Sequence, residues 1–266
     1  LRSLITGMSC LDRIPQVEVA AGDDQLALVF RHLVALTTED RRDLRRFAET
    51  HGVQVWLQPG GPDSIAPFWP ERPDPLQYAL PEFDIEIRFG PTDFTQVNAD
   101  VNRLMVRRAI DLLELEPNDT VLDLFCGLGN FTLPLARSTG RVLGIEGDRR
   151  LVEGARENAR RQGLKNVEFE VGDLYRETET APWGAFAFNK LLLDPPRSGA
   201  MEVIRHLPQQ GGPARIVYVS CYPATLARDA EYLVHRLGYR MQAASVMDMF
   251  PQTSHVEAIA LFVKPG

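Results

Sequence analysis

The 266 residues are 44% apolar and 24% charged, enough to fill the core of one large domain or two modest ones. The formal net charge of −7 counts against a broadly basic nucleic-acid surface, though it leaves room for local patches. No apolar run approaches bilayer-spanning length and the first residues lack a signal-peptide pattern, so a membrane protein is not expected.

The three cysteines, Cys10, Cys126 and Cys221, stand far apart. They form neither a disulfide framework nor a paired metal spacing, which points to reduced thiols and a cytoplasmic location. Leu1 is not an initiator Met, so a fragment or processed form is expected.

Residues 15–31 alternate around Ala21-Gly22-Asp23-Asp24 and predict a β-hairpin. Thr37 or Thr38 then caps a charged amphipathic helix running to about Gly52. Val53–Leu57 reads as a strand, the Pro- and Gly-rich residues 59–82 as an irregular connection, and Asp84–Phe89 as strand again. Residues 1–92 are therefore expected to form a small α+β subdomain.

The pattern changes after Pro91. Asn98 is placed to cap a helix from about Ala99 to Leu115. Strand-like runs follow at Val121–Phe125, Val142–Glu146, Val167–Val171, Leu191–Asp194 and Ile216–Ser220. Helix-like runs alternate with them near 130–138, 149–162, 200–207 and 224–237. Such alternation implies right-handed crossovers and a parallel sheet. Two last apolar runs, Ala244–Met249 and Val256–Val263, leave no room for a helix and should close the sheet as an antiparallel pair. The expectation for residues 93–266 is an α/β, Rossmann-like methyltransferase domain. Arg107, Arg108, Arg160 and Arg161 are read as solvated helix faces.

Gly127 and Gly129 follow a strand and precede a helix, where the backbone can approach a ligand and N–H groups are free. The third glycine of a dinucleotide fingerprint is replaced by Thr132, and a carboxylate, Asp123, precedes the loop. That suits a cationic amino-acid cofactor better than a pyrophosphate. Glu146 ends the next strand, where an acid can accept from ribose hydroxyls, and Asp173 follows the third, within reach of an adenine amino group. S-Adenosyl-L-methionine is the cofactor this pattern predicts. Cys126 reads as a small filler beside the glycine turn. Cys221 ends an apolar strand just before a helix, a place where the helix dipole favours a thiolate.

Five stretches carry a resemblance: Phe94–Asn98 (FTQVN), residues 122–136 (LDLFCGLGNFTLPLA), 191–200 (LLLDPPRSGA), 217–229 (VYVSCYPATLARD) and 247–262 (MDMFPQTSHVEAIALF). Together they resemble the RNA (uracil-C5)-methyltransferase family, specifically over about 93–266 and more weakly before that. The resemblance implies methylation of a uracil at C5 in RNA, with 23S ribosomal RNA as the expected substrate and partner. It makes Cys221 the nucleophile that adds to C6, Glu257 the base that removes the C5 proton, and Asp194 an acid beside the transferred methyl. It places Gln96, Phe125, Gly127, Gly129, Asn130, Glu146, Asp173 and Asp194 around the cofactor. His255 is read as structural or RNA-contacting, and Phe94 as either a base-stacking ring or part of the core. Arg197 stands where a related amino-group methylation motif has an aromatic residue.

Longer family members carry an N-terminal RNA-binding barrel and a cysteine-ligated iron–sulfur cluster, whose ligands this chain lacks. The chain is accordingly expected to be truncated at its N-terminus, and monomeric. Other readings stay open: a tRNA or other ribosomal uracil, or a noncatalytic cofactor-binding RNA scaffold. An NAD-type dehydrogenase is disfavoured by the missing glycine.

Overall fold

The computed structural model describes residues 1–176 and 180–265. The chain divides into two compact units, residues 1–79 with 88–94 and residues 80–87 with 95–266.

In the first unit a short helix α1 (Arg2–Gly7) precedes the antiparallel pair β1 (Gln16–Ala21) and β2 (Leu26–Arg31). The helix α2 (Thr38–His51) then crosses to β3 (Gln54–Gln58), which pairs parallel to β2. Thr37 caps α2 with a reciprocal box: its hydroxyl accepts from the Asp40 amide, and the Asp40 carboxylate accepts from the Thr37 amide. Gly52 ends it in the left-handed region, at φ 63°. Phe30, Leu44, Ala48 and Val55 fill the core beneath it.

The stretch read as irregular is not wholly so. It contains β4 (Ala66–Trp69), antiparallel to β3, and β5 (Leu76–Leu80), which pairs with β6 (Ile85–Phe89). The prolines misled the reading because they flank or edge these strands, where no ladder donor is required.

Residues 80–87 group with the second unit although they precede the border expected from sequence. Three helix arginines of that unit reach its carboxylates: Arg107 to Glu82 at 2.6 Å, Arg137 to Asp84 at 3.5 Å and Arg161 to Glu86 at 3.9 Å. Two of the four arginines assigned to solvated faces are thus paired here, and Arg160 pairs with Glu157 on its own helix at 2.6 Å.

The second unit is built on a seven-stranded sheet. Its helix α3 (Ala99–Leu113) starts where the Asn98 carboxamide accepts from the Val101 amide, at 3.2 Å. It stops two residues before the predicted end because Glu114 turns left-handed. Alternation then gives β7 (Thr120–Leu124), α4 (Thr132–Ser138), β8 (Arg141–Glu146), α5 (Arg149–Arg161) and β9 (Val167–Val171). There follow β10 (Lys190–Leu193), α6 (Met201–Ile204), β11 (Arg215–Ser220) and α7 (Pro223–His235), then β12 (Arg240–Met247) and β13 (Glu257–Val263).

The sheet order is β12-β13-β11-β10-β7-β8-β9. Five strands run parallel, and β13 is antiparallel to both β11 and β12. The strand order reverses between β7 and β10, which is where an open α/β sheet leaves a crevice at its strand ends.

The central strands β7, β10 and β11 are buried on both faces and are mostly apolar, with Asp123 the buried exception inside β7. The edge strand β12 is mostly exposed and begins four residues earlier than the apolar run suggested. Pairing with β13 extends it through polar residues that hydropathy does not mark. Leu122, Leu124, Leu191, Leu193, Tyr218 and Phe262 lie in the core around which the strand ends are fixed. Among the described residues no helix is long and apolar enough to cross a membrane.

Candidate active site

Asp123 is fully buried on β7. Burial pushes its carboxyl up to about 7, against the pull of the Thr132 hydroxyl that donates to Oδ2 at 2.6 Å. Its other oxygen, Oδ1, has no protein partner. After β7 the chain turns sharply: Phe125 is left-handed at φ 67°, and its amide and that of Cys126 both donate to the Ile145 carbonyl, at 2.9 and 3.1 Å. A non-glycine residue held there stores strain of about 1–3 kcal/mol, offset by those bonds. Gly127 and Gly129 continue the loop at φ 52° and 92°. At Gly127 an added Cβ would meet open space, so the backbone on that side is bare.

Glu146 ends β8 and clamps the loop. One carboxylate oxygen accepts from the Gly127 amide at 3.2 Å and the other from the Asp148 amide at 3.0 Å. Asp173, after β9, is exposed and accepts from the Tyr175 and Arg176 amides through one oxygen, at 3.0 and 3.2 Å. The Phe125 and Tyr175 rings face each other at 5.6 Å. Gln96 contributes a buried carbonyl oxygen, Oε1, that no protein group satisfies.

Buried polar atoms are normally paired, so Gln96 Oε1 and Asp123 Oδ1 are acceptors open to a ligand's donors. Two unpaired acceptors, a bare glycine loop and an aromatic pair suit a nucleoside bearing a cationic amino-acid end. Asn130 differs from the rest. Its amide exchanges hydrogen bonds with Asn102 of α3, at 2.9 and 3.0 Å, and so ties the loop to that helix.

The second half of the crevice holds Cys221, Asp194 and Glu257. Cys221 follows β11, where Ser220 is paired with Ala258 of β13. Continuing that antiparallel register sets residue 221 opposite residue 257. Asp194 follows β10, and its amide donates to the Leu124 carbonyl at 3.3 Å, which holds it beside β7. Glu257 is 3% exposed, and burial pushes its carboxyl up. Asp194 is half-buried. Burial, then the Glu257 and Asp123 carboxyls, push it up to about 8.

The half-buried Cys221 thiol is also raised, chiefly by burial and then by Glu257 and Asp194, with Arg197 acting in the opposite sense. The expectation of a thiolate favoured by the following helix is therefore corrected. Pro223 does open α7 next to the thiol, but burial and two carboxyls act on the sulfur in the opposite sense to a helix N-terminus. Cys126 is buried against Gly144, where an added Cβ would lie 2.9 Å from its sulfur, and its thiol is raised well beyond that of an exposed one. Packing, not reactivity, accounts for it.

His255 is exposed, rests edge-on against Phe250 at 5.9 Å, and accepts from the Arg197 guanidinium at 3.1 Å. Phe94 is 73% exposed and so is not core. The sequence reading missed the polar cluster of Asp229, buried Tyr218 and the exposed Arg228, which lies on β11 and α7 on either side of Cys221 in the chain. Cys10 is buried in the first unit, and among the described residues no group of three or more His, Cys, Asp or Glu side chains is arranged to hold a metal ion.

The family described as tRNA (uracil-5-)-methyltransferase matches residues 78–264. The 23S rRNA (uracil(1939)-C(5))-methyltransferase RlmD of Azoarcus sp. (strain BH72) is 54% identical over 266 residues, covering 100% of this chain and 61% of that protein. The protein of the same name from Acidithiobacillus ferrooxidans is 56% identical over 265 residues, covering 98% of this chain and 59% of its own length. This chain thus spans about three fifths of the curated relatives it matches. Among solved structures, the Pyrococcus abyssi tRNA (uracil-54, C5)-methyltransferase in complex with S-adenosyl-L-homocysteine superposes with a TM-score of 0.72 at 26% identity, over 92% of this chain and 58% of that one. Trm5b from Pyrococcus abyssi shares the fold, with a TM-score of 0.62 at 14% identity, over 100% of this chain and 78% of that one.

Proposed function

This chain belongs to the tRNA (uracil-5-)-methyltransferase family, and we propose that it methylates C5 of a uracil in 23S ribosomal RNA, using S-adenosyl-L-methionine. The observation that carries the reading is the convergence of one half-exposed thiol, Cys221, and two raised carboxyls, Asp194 and Glu257, at the strand ends beside a bare glycine loop. The relatives at 54% and 56% identity favour the ribosomal substrate and the uracil their names give, 1939.

S-Adenosyl-L-methionine, when bound, supplies a methyl on a sulfonium, a one-carbon electrophile. Gln96 Oε1 and Asp123 Oδ1 would accept from its donors, Glu146 and Asp173 would hold its nucleoside end, and Gly127 and Gly129 would give it room. Phe125 supplies the apolar ring. Asn130 serves by holding the loop to α3.

Uracil C5 is too weak a nucleophile to take the methyl unaided. Cys221 loses its proton to water and its sulfur forms a bond to C6, so the C5=C6 electron pair moves into an enolate and C5 becomes electron-rich. C5 then bonds to the methyl as the methyl–sulfur bond breaks, leaving a neutral thioether. Glu257 takes the C5 proton, the C5=C6 bond re-forms and the sulfur–C6 bond breaks, returning the thiolate. Asp194, held largely protonated near neutral pH, lines this pocket without adding a full negative charge against the sulfur.

The reading includes a cytoplasmic, monomeric protein whose RNA partner presents the uracil flipped out of its stack. The test is transfer of labelled methyl from S-adenosyl-L-methionine to 23S rRNA fragments and to tRNA, followed by mapping of the product. Label at C5 of a ribosomal uracil is expected. Label confined to tRNA, or on any other base, overturns the assignment.

A further inference from the structure

Asp229 lies on α7, is fully buried, and is bonded on all sides by groups from three segments. Its Oδ2 accepts from the Tyr218 hydroxyl at 2.7 Å and from the Ala200 amide at 2.7 Å. Its Oδ1 accepts from Arg228 Nε at 2.8 Å and meets Arg228 Nη2 at 2.7 Å. The same guanidinium donates to the Ser198 carbonyl at 2.9 Å.

These partners are not scattered. Tyr218 sits on β11, three residues before Cys221. Ser198 and Ala200 belong to the loop that begins with Asp194-Pro195-Pro196-Arg197. One buried carboxylate therefore joins the strand that carries the thiol to the loop that carries Asp194. Gly199 completes the fit. It is left-handed at φ 85°, and an added Cβ would lie 2.6 Å from Arg228 Nη2 and 2.7 Å from Asp229 Oδ2. The loop thus closes directly over the carboxylate, with no space for a side chain between them.

A buried carboxylate is costly unless fully bonded, and here removing it would leave the Tyr218 hydroxyl and the Ala200 amide without their acceptor. Its bonds to these two segments alone are what an apolar residue would not supply. We propose that Asp229 is a positioning residue that fixes the Asp194 loop against the Cys221 strand. Tyr218 and Arg228 act through it. The proposal rests on the uracil-methylation reading for its consequence in catalysis, but the juxtaposition of Asp194 and Cys221 is open to measurement without RNA.

The experiment uses the whole 266-residue chain and the variants Asp229→Asn and Tyr218→Phe. The Asn side chain keeps the shape and loses the charge that holds Arg228; Phe removes a single donor. The first readout is the pH midpoint for alkylation of Cys221 by iodoacetamide, followed on its peptide by mass spectrometry. Releasing the Asp194 loop takes a carboxyl away from the sulfur and admits water, so the midpoint falls by about half a pH unit or more. The second is the rate of covalent adduct formation with RNA bearing 5-fluorouridine and S-adenosyl-L-methionine. It falls about 100-fold in Asp229→Asn, as expected for a displacement near 1 Å, with S-adenosylhomocysteine affinity within about twofold of the parent.

If Asp229→Asn fails to fold, Tyr218→Phe decides by the same two readouts. An unmoved thiol midpoint overturns the proposal, as does cofactor affinity that falls in step with the rate, which would mark a general structural role. A parent chain that forms no adduct removes the uracil reading, while the thiol midpoint still decides the positioning role.

Discussion

Replacing Asp194 by Asn is expected to stabilise the ligand-free chain at mildly alkaline pH while disabling its chemistry. The Asp194 carboxyl is raised from 3.8 to about 8 by burial and by the Glu257 and Asp123 carboxyls. A folded-state value above the unfolded one means that the folded chain holds the proton longer. The side chain therefore costs nothing below pH ~4, and stability is lost progressively as the pH climbs from there towards 8. Four units at 1.36 kcal/mol each set a ceiling of about 5 kcal/mol. Because the carboxyl is half-buried and keeps some water, about 2–3 kcal/mol is expected. Asn keeps the shape without the charge.

Urea unfolding of parent and variant at pH 5 and pH 8, without ligand, measures the difference directly. The two proteins should differ little at pH 5, and the variant should be the more stable at pH 8. A variant that is no more stable than the parent at pH 8, or whose advantage shrinks as pH rises, refutes the reasoning about the carboxyl cluster.

Glu257→Gln should let the methyl reach C5 but block release, so that a methylated protein–RNA adduct accumulates on ordinary RNA; denaturing gels showing normal release would take Glu257 out of the base role. The Cys221 thiol should be alkylated with a pH midpoint above the ordinary thiol value of about 8.5, and Glu257→Gln should lower that midpoint by removing a carboxylate; a midpoint below 8 in the parent contradicts the site's electrostatics. Gln96→Ala removes a buried unpaired carbonyl, so calorimetry should show S-adenosylhomocysteine bound about fivefold more weakly, the loss of one hydrogen bond of about 1 kcal/mol. Unchanged affinity would place Gln96 outside the cofactor site.

The alternation of strands and helices after Pro91 was legible because each central strand is buried on both faces and each crossover helix shows one apolar side. The candidate crevice residues stood out for a related reason: Glu146, Asp194 and Cys221 stand where apolar runs stop, and Asp123 interrupts one just before its strand ends. Strands β4 and β5 were hidden because edge positions tolerate the proline that usually signals a loop.

Tertiary contacts also decided matters that no local pattern records. The state of the Cys221 thiol depends on two carboxyls that are 27 residues earlier and 36 residues later in the chain, so the helix end alone was a poor guide. The family resemblance placed Asn130 around the cofactor, but its exchange of hydrogen bonds with Asn102 of α3 is a tertiary contact that no local pattern records. The Asp229 cluster escaped notice because its partners lie on three segments, brought together only when α7 packs beside β11.

The central claim is that the sulfur of residue 221 attacks the pyrimidine ring. Incubating the chain with S-adenosyl-L-methionine and a 23S rRNA fragment carrying 5-fluorouridine at the target, then digesting and sequencing the cross-linked peptide by mass spectrometry, tests it directly. Fluorine at C5 blocks the last elimination, so a methylated nucleotide joined to Cys221 is predicted, and none in Cys221→Ala. A cross-link at another residue, or one that persists in Cys221→Ala, contradicts the account.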